Sequence, residues 1–381
     1  MSSTSFLRDS DITRFTSALL ISLIITSATF LPLLLQGAQG SPVPGPVAHP
    51  QPQPQPLPDP QAHGRPSVSG HYPEPEPCHG NCSWIHDPSI FYENGIYWRF
   101  STSGNIAVAT APSLSGPWTY RGALLHNGTK IFIRNDQDIW APSISKRDNL
   151  YYCHYSVSYI YSHHSEIGVA TSKSLAPGTW TDHGAVGFPQ NERYNLIDPH
   201  VFQENLKSPI YFTFGSYWSG IQQVELNDHR HLVAWGGQEN DITNIIRNTT
   251  ANFAVVEGAT MHKFGDLYFI LFSVGQCCRM ENNTVPPGDE YHIAVCRSQS
   301  ITGPYFDKEG KNCLTESGGT TILASHGDIY APGGQDVMVH PETGRTVMYY
   351  HYVRPSVGYN ADQFLFGYNY LDIQNGWPVV V

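Results

Sequence analysis

The chain is predicted to be all-β, a five-bladed β-propeller, and three observations carry that prediction. Charged residues make up only 14% of its 381 residues, while 34 glycines, 29 prolines and 22 tyrosines favour turns and strands over salt-bridged helices. Short apolar and aromatic strands recur behind hairpin-type turns such as Glu93-Asn94-Gly95. The same succession of polar opening, strand, turn and aromatic strand returns five times between residues 86 and 380. Five such units closing radially leave only short, protected sheet edges. The period is irregular and a long insert displaces the last unit, so a two-sheet sandwich is the alternative arrangement.

Taken in order, the chain opens with a targeting segment. Residues 17–35 are almost unbroken apolar, follow Arg8 and Arg14, and are succeeded by the small residues Gly37, Ala38 and Gly40. This reads residues 1–40 as a secretory signal peptide, which implies a secreted, extracellular protein. The apolar run is also long enough to cross a bilayer, so an uncleaved signal anchor, with attachment to the cell surface, is the alternative. Residues 41–77 carry proline at a density that excludes ladder hydrogen bonding and read as an extended linker. The catalytic domain is then expected over 78–381. Sequons at Asn81, Asn127, Asn248 and Asn282 suit a secreted glycoprotein. Seven cysteines in an oxidising compartment favour disulfides, with one left over. The apolar strand around Cys153 marks that thiol as buried and free. Cys78-x3-Cys82-x3-His86 has no matching second half and is not read as a zinc site.

The five units begin at His86, Trp140, Ile197, Glu257 and Ala331. Their aromatic strands read IYWRF, LYYCHY, IYFTFG, LYFILF and VMYYHY. In the first, second and fourth units a third strand follows (IAVAT, IGVAT, IAVCR) and ends in a Gly/Pro-aromatic turn.

Three acidic motifs open units one, three and four: His86-Asp87-Pro88, Ile197-Asp198-Pro199 and Val256-Glu257-Gly258. In a propeller the first strand of each blade lines the central channel, so these carboxyl groups are expected to converge at one mouth. Glycosidic cleavage needs an acid for the leaving oxygen and a carboxylate across the sugar. A third carboxylate raises the acid's pKa by repulsion. Glu257 has the longer arm and an apolar approach through Val255 and Val256, which makes it the natural acid. The prolines after Asp87 and Asp198 stiffen the backbone behind each carboxylate. Each motif alone is also an ordinary turn, and only their recurrence in the repeat argues for a site. The net charge of −11 excludes a nucleic-acid partner, which would require a basic surface. The eighteen histidines contain no His-Glu-x-x-His pair, and His163-His164 is read as a loop.

The ordered set HDPS, DIWAPSI, IDPHVF, GSYWSGI, EGATMHKFGDLYFILFS and IYAPGGQDV resembles family 43 glycoside hydrolases, specifically the endo-1,5-α-L-arabinanases of fungi, over residues 82–381. The resemblance implies a five-bladed propeller and inverting hydrolysis of internal α-1,5 bonds in arabinan, a component of plant pectin, by a monomer. It implies Asp87 as general base, Glu257 as general acid, and Asp198 as the group that orients the acid and modulates its pKa. Substrate contacts are implied for Asn195, Ser216, Tyr217 and Trp218, with Trp140 in the cleft; stacking on a sugar face also suits Trp218 directly. Two departures stand out. Many bacterial relatives hold a calcium or similar ion through a histidine near the axis, where this chain reads Pro332-Gly333-Gly334-Gln335-Asp336, so no metal is expected with certainty. Relatives that read Trp-Ala-Pro-Asp carry an acid where this chain has Ser143. An exo-acting arabinofuranosidase or β-xylosidase on the same fold, and a non-catalytic sugar-binding propeller, are the competing readings. Retaining sucrose-type propellers differ in showing Asn-Asp-Pro and Arg-Asp-Pro pairs.

Overall fold

The computed structural model describes residues 71–381 apart from 227, 250–254, 279, 281–284 and 287, all within the compact unit Ala62–Val381. The targeting segment, most of the proline-rich stretch and the Asn282 sequon lie outside the described residues. Among those described, no helix is long and apolar enough to cross a membrane.

Among the described residues, twenty strands form five four-stranded antiparallel sheets, each in simple up-and-down order. Blade 1 holds β1 (Ser89–Glu93), β2 (Ile96–Ser101), β3 (Ala107–Ala111) and β4 (Thr119–Ala123). Blade 2 holds β5 (Asp138–Arg147), β6 (Leu150–Ser158), β7 (Glu166–Ser172) and β8 (Thr181–Ala185). Blade 3 holds β9 (His200–Gln203), β10 (Ile210–Phe214), β11 (Ile221–Leu226) and β12 (Thr243–Ile246). Blade 4 holds β13 (Val256–Phe264), β14 (Leu267–Val274), β15 (His292–Ser298) and β16 (Thr320–Leu323). Blade 5 holds β17 (Tyr330–Val339), β18 (Thr346–Val353), β19 (Leu365–Gln374) and β20 (Trp377–Val380).

The expected hairpins form where the turn chemistry allows. Glu93 pairs with Ile96 across Asn94-Gly95, both at positive φ (52° and 79°), the backbone a two-residue hairpin requires. Asn375-Gly376 does the same between β19 and β20. The second strands are the most deeply buried, because both faces meet neighbouring blades. Tyr97 and Phe100 of β2, Cys153 and Tyr155 of β6, and Phe212 and Phe214 of β10 are fully buried. Apolar clusters therefore fill the seams between blades. One joins blades 2 and 3 through Ile167, Val169, Phe212 and Phe214. Another joins blades 4 and 5 through Leu271, Val295, Met348 and Tyr350.

The seam between blades 5 and 1 is sealed by the chain just before β1. Ile85 N–H donates to Phe364 O, and Phe366 N–H donates to Cys82 O. The Cys78–Cys82 disulfide closes this loop. Arg99 of β2 lies between Trp118 and Phe366, with its guanidinium carbon 4.6 Å and 5.1 Å from the two rings, and donates to Asn81 O. Packing starts inside the stretch read as linker: Glu76 N–H donates to Tyr368 O, and Asn369 Nδ2 donates to Glu74 O. The folded domain thus begins a few residues before Cys78.

Candidate active site

The heads of the inner strands share one backbone device. Asp87, Ala141, Asp198 and Ala331 all precede proline and all sit at positive φ, between 45° and 55°. Such a conformation is uncommon for a residue with a side chain and concentrates at functional sites. In blade 4 the corresponding left-handed residue is Gly258 (φ 61°), so Glu257 stands one position earlier than the two aspartates. The expectation of equivalent positions is corrected by that one residue. A bulge between Glu257 and Thr260 re-aims the strand, and the longer glutamate arm makes up the offset.

The three carboxyl groups line one cleft of about 400 Å³ at a mouth of the channel. Asp87 Oδ2 accepts from Thr102 Oγ1 (2.7 Å), while its own N–H donates to His351 Nδ1 (3.0 Å). Asp198 N–H donates to Ser156 Oγ (2.9 Å), and its Oδ2 accepts from Gly258 N–H (2.9 Å). That last bond ties the Asp198 carboxylate to the residue following Glu257. Glu257 is 7% exposed, and its Oε1 accepts from Tyr291 O–H (2.9 Å).

Burial dominates the electrostatics of all three. It pushes the Glu257 carboxyl up to about 8, against a lowering by the Tyr291 hydroxyl, and the Asp87 charge adds to the rise. Asp198 is driven well above the usual carboxylate range, first by burial and then by the charges of Glu257 and Asp87. Asp87 is also raised by burial, but the neighbouring His86 charge and the Thr102 hydroxyl oppose the shift. Its side chain keeps 29% of its surface, which leaves it more open to water than the nearly buried Glu257. Their mutual repulsion disfavours a state in which all three are charged.

Tyr217 and Trp218 also line the cleft, held against the strand that carries Glu257 by Tyr217 N–H to Val256 O (3.1 Å) and the reverse bond (3.3 Å). His163 stacks on Trp218 with centroids 4.4 Å apart, so this loop histidine has an aromatic partner. Trp140 and Asn195 line the cleft too. Asn195 is buried and spends both amide ends on the protein, accepting from Ser165 Oγ and donating to Ser162 O. Ser216 is different. It is fully buried, its Oγ accepts from Ser219 N–H (3.0 Å), and it is not among the cleft-lining residues, so the expected substrate contact is not formed there.

The axis does not fit an imidazole-held cation. Gln335 spans two partners, with Nε2 donating to Gly258 O (2.8 Å) and Oε1 accepting from Ser273 Oγ (2.8 Å). The Nδ1 lone pair of His351 is taken by Asp87 N–H. Further along the channel, His200, His262 and Asp336 bring ligand-type atoms within 4.8 Å of one another. His200 Nδ1, however, accepts from Met261 N–H (3.3 Å), which puts the neutral ring's proton on Nε2, the atom facing Asp336. His262 Nε2 lies 3.0 Å from Asp336 Oδ1 and Tyr349 O–H donates to Oδ2 (3.0 Å), so hydrogen-bonding partners already ring this carboxylate. No chemical step is assigned to a metal.

Sequence reasoning did not single out Tyr291, Thr102 or the Cys277–Cys278 disulfide. The two polar residues lie outside the acidic motifs, and only the three-dimensional structure brings them to the carboxylates. Cys153 is buried and free, as expected.

A five-bladed propeller that gathers three buried, mutually repelling carboxyl groups into one open cleft has the equipment of a glycoside hydrolase. The family model for glycosyl hydrolases family 43 matches residues 83–377, and the chain belongs to that family. It is 43% identical over 313 residues to arabinan endo-1,5-alpha-L-arabinosidase A of Aspergillus aculeatus, covering 81% of this chain and 94% of that protein. Among solved structures, the endo-arabinanase of Bacillus licheniformis is similar with a TM-score of 0.66 and 27% identity, covering 80% of this chain and 99% of that one. An exo-1,5-alpha-L-arabinanase from a bovine ruminal metagenomic library is similar at the same TM-score with 26% identity, covering 78% of this chain and 96% of that one.

Proposed function

We propose that the protein is a secreted, inverting endo-1,5-α-L-arabinanase that cleaves internal α-1,5-L-arabinofuranosidic bonds of arabinan. The observation that carries this reading is Glu257: a buried carboxyl that keeps its proton to about pH 8, facing the same cleft as the more open Asp87.

In this mechanism Glu257 acts as general acid. Tyr291 occupies Oε1, leaving Oε2 to carry the proton that passes to the glycosidic oxygen as its bond to C1 breaks. Asp87 acts as general base. It takes a proton from the water that attacks C1 from the opposite face, so the anomeric configuration inverts. Asp198 orients the acid's strand by accepting from Gly258 N–H, while the Asp87 charge adds to the burial that keeps the acid protonated. Trp140, Tyr217 and Trp218 supply ring surface for furanose units, which suits a neutral substrate.

Residues 1–40 are taken as a signal and 41–77 as mainly a linker. Three disulfides among the described residues fit an oxidising compartment, and Asn81, Asn127 and Asn248 are taken as candidate glycan acceptors on a monomer. The test is incubation of the purified protein with linear arabinan while product length and anomeric configuration are followed. Mixed short oligosaccharides of inverted configuration are expected. Release of one product size from a chain end would instead favour an exo-acting enzyme, as the ruminal relative is named. Binding without turnover would leave only a sugar-binding propeller.

A further inference from the structure

We propose that the disulfide joining the consecutive residues Cys277 and Cys278 is a sugar-contacting platform on the blade 4 side of the cleft. It would take the apolar C–H face of an arabinofuranosyl unit. The inference rests on the arabinan reading of the site.

Both cysteines line the same cleft as Glu257 and Tyr291, and both are half-buried. They form a disulfide with Cα atoms 3.8 Å apart, so two side chains and one peptide unit close into a single small ring. Such a ring has almost no rotamer freedom to lose when a ligand settles on it. Its sulfurs are polarizable and apolar and carry no donor hydrogen, which suits C–H groups rather than hydroxyls. The platform is braced from behind. Gly275 turns the chain out of β14 at φ 97°, where an added Cβ would lie 2.5 Å from Glu290 O. Gln276 N–H then donates to Asp289 O (2.9 Å), and Tyr291 N–H donates to Gln276 O (3.1 Å). Cys277 packs on the apolar cluster of Met280, Tyr291, Val353 and Phe364. The connection that presents the sulfurs thus also holds the phenol bonded to the acid. Neither sulfur is needed for the proton transfers, and both face the cleft, where a ligand can reach them.

The test compares wild type with Cys277→Ala/Cys278→Ala on linear arabinan. KM is expected to rise about three- to tenfold with kcat within about twofold, the size of a lost sulfur contact. An unchanged KM overturns the proposal, as does a fall in kcat alone, which would mark a purely structural brace. If the variant does not fold, native enzyme is titrated with a phosphine reductant and the reduced pairs are identified by alkylation and mass spectrometry. KM should then track the fraction of Cys277–Cys278 opened; independence from it overturns the proposal. A wild-type enzyme that releases nothing from arabinan refutes the underlying activity instead, and that result is visible before any cysteine is changed.

Discussion

At the scale of single residues, the acid and its phenol partner make the sharpest predictions. Glu257→Gln should lower kcat on arabinan by about 10²- to 10⁴-fold, the usual contribution of a positioned general acid. The same change should alter stability in a pH-dependent way. The native carboxyl holds its proton to about pH 8, while the unfolded one releases it near the ordinary glutamate value, so folding takes up a proton between those limits. Wild-type stability therefore falls as pH rises through that window. The glutamine variant should show a flatter curve and a higher relative Tm at pH 8 than at pH 4, read by thermal melts across pH. Tyr291→Phe removes a donor that lowers the Glu257 pKa, so the alkaline limb of kcat should move upward. A limb that stays in place or moves down in the pH–rate profile would show that the phenol does not tune the acid.

At the scale of elements, the head of each inner strand matters more than its body. Gly334 of β17 approaches the base so closely that an added Cβ would lie 2.4 Å from Asp87 Oδ1 and 2.6 Å from His351 Nδ1. Its φ of 58° adds a backbone penalty for any other residue. Gly334→Ala should therefore reduce kcat by at least about tenfold by displacing the base, a small shift at the reacting centre being enough. A crystal structure of the variant should show the Asp87 carboxylate moved. Much at this scale was legible in the sequence. Asn-Gly turns and aromatic strands gave the hairpins, and Asp-Pro marked two of the three carboxylate positions. The one-residue offset of Glu257 was not legible, because it depends on a bulge and a left-handed glycine rather than on residue spacing. Ser216 misled for a related reason: the Gly-Ser-Tyr-Trp run exposes Tyr217 and Trp218 to the cleft but turns the serine into the interior.

At the scale of the whole molecule, the ring stands or falls on the seam between blades 5 and 1. Arg99 is almost wholly buried there without a carboxylate partner among the described residues, held by two aromatic faces and the Asn81 carbonyl. Arg99→Ala would remove both ring contacts and leave a cavity. A loss of about 2–4 kcal/mol is expected in urea unfolding at neutral pH. The repeat pattern announced five blades, but nothing in it announced how they close. The closing segment, residues 74–85, belongs to no repeat and begins inside the proline-rich stretch, so its role depends on partners nearly three hundred positions away.

That distance has a consequence for biosynthesis. Each blade can form as it is made, since its four strands are contiguous in the chain. The bonds from Cys82 and Ile85 to Phe366 and Phe364 must wait until translation has almost finished. A nascent chain halted after the fourth blade would carry Glu257, Asp87 and Asp198 yet remain an unfastened arc, its first blade exposing the flank that the fifth was meant to cover.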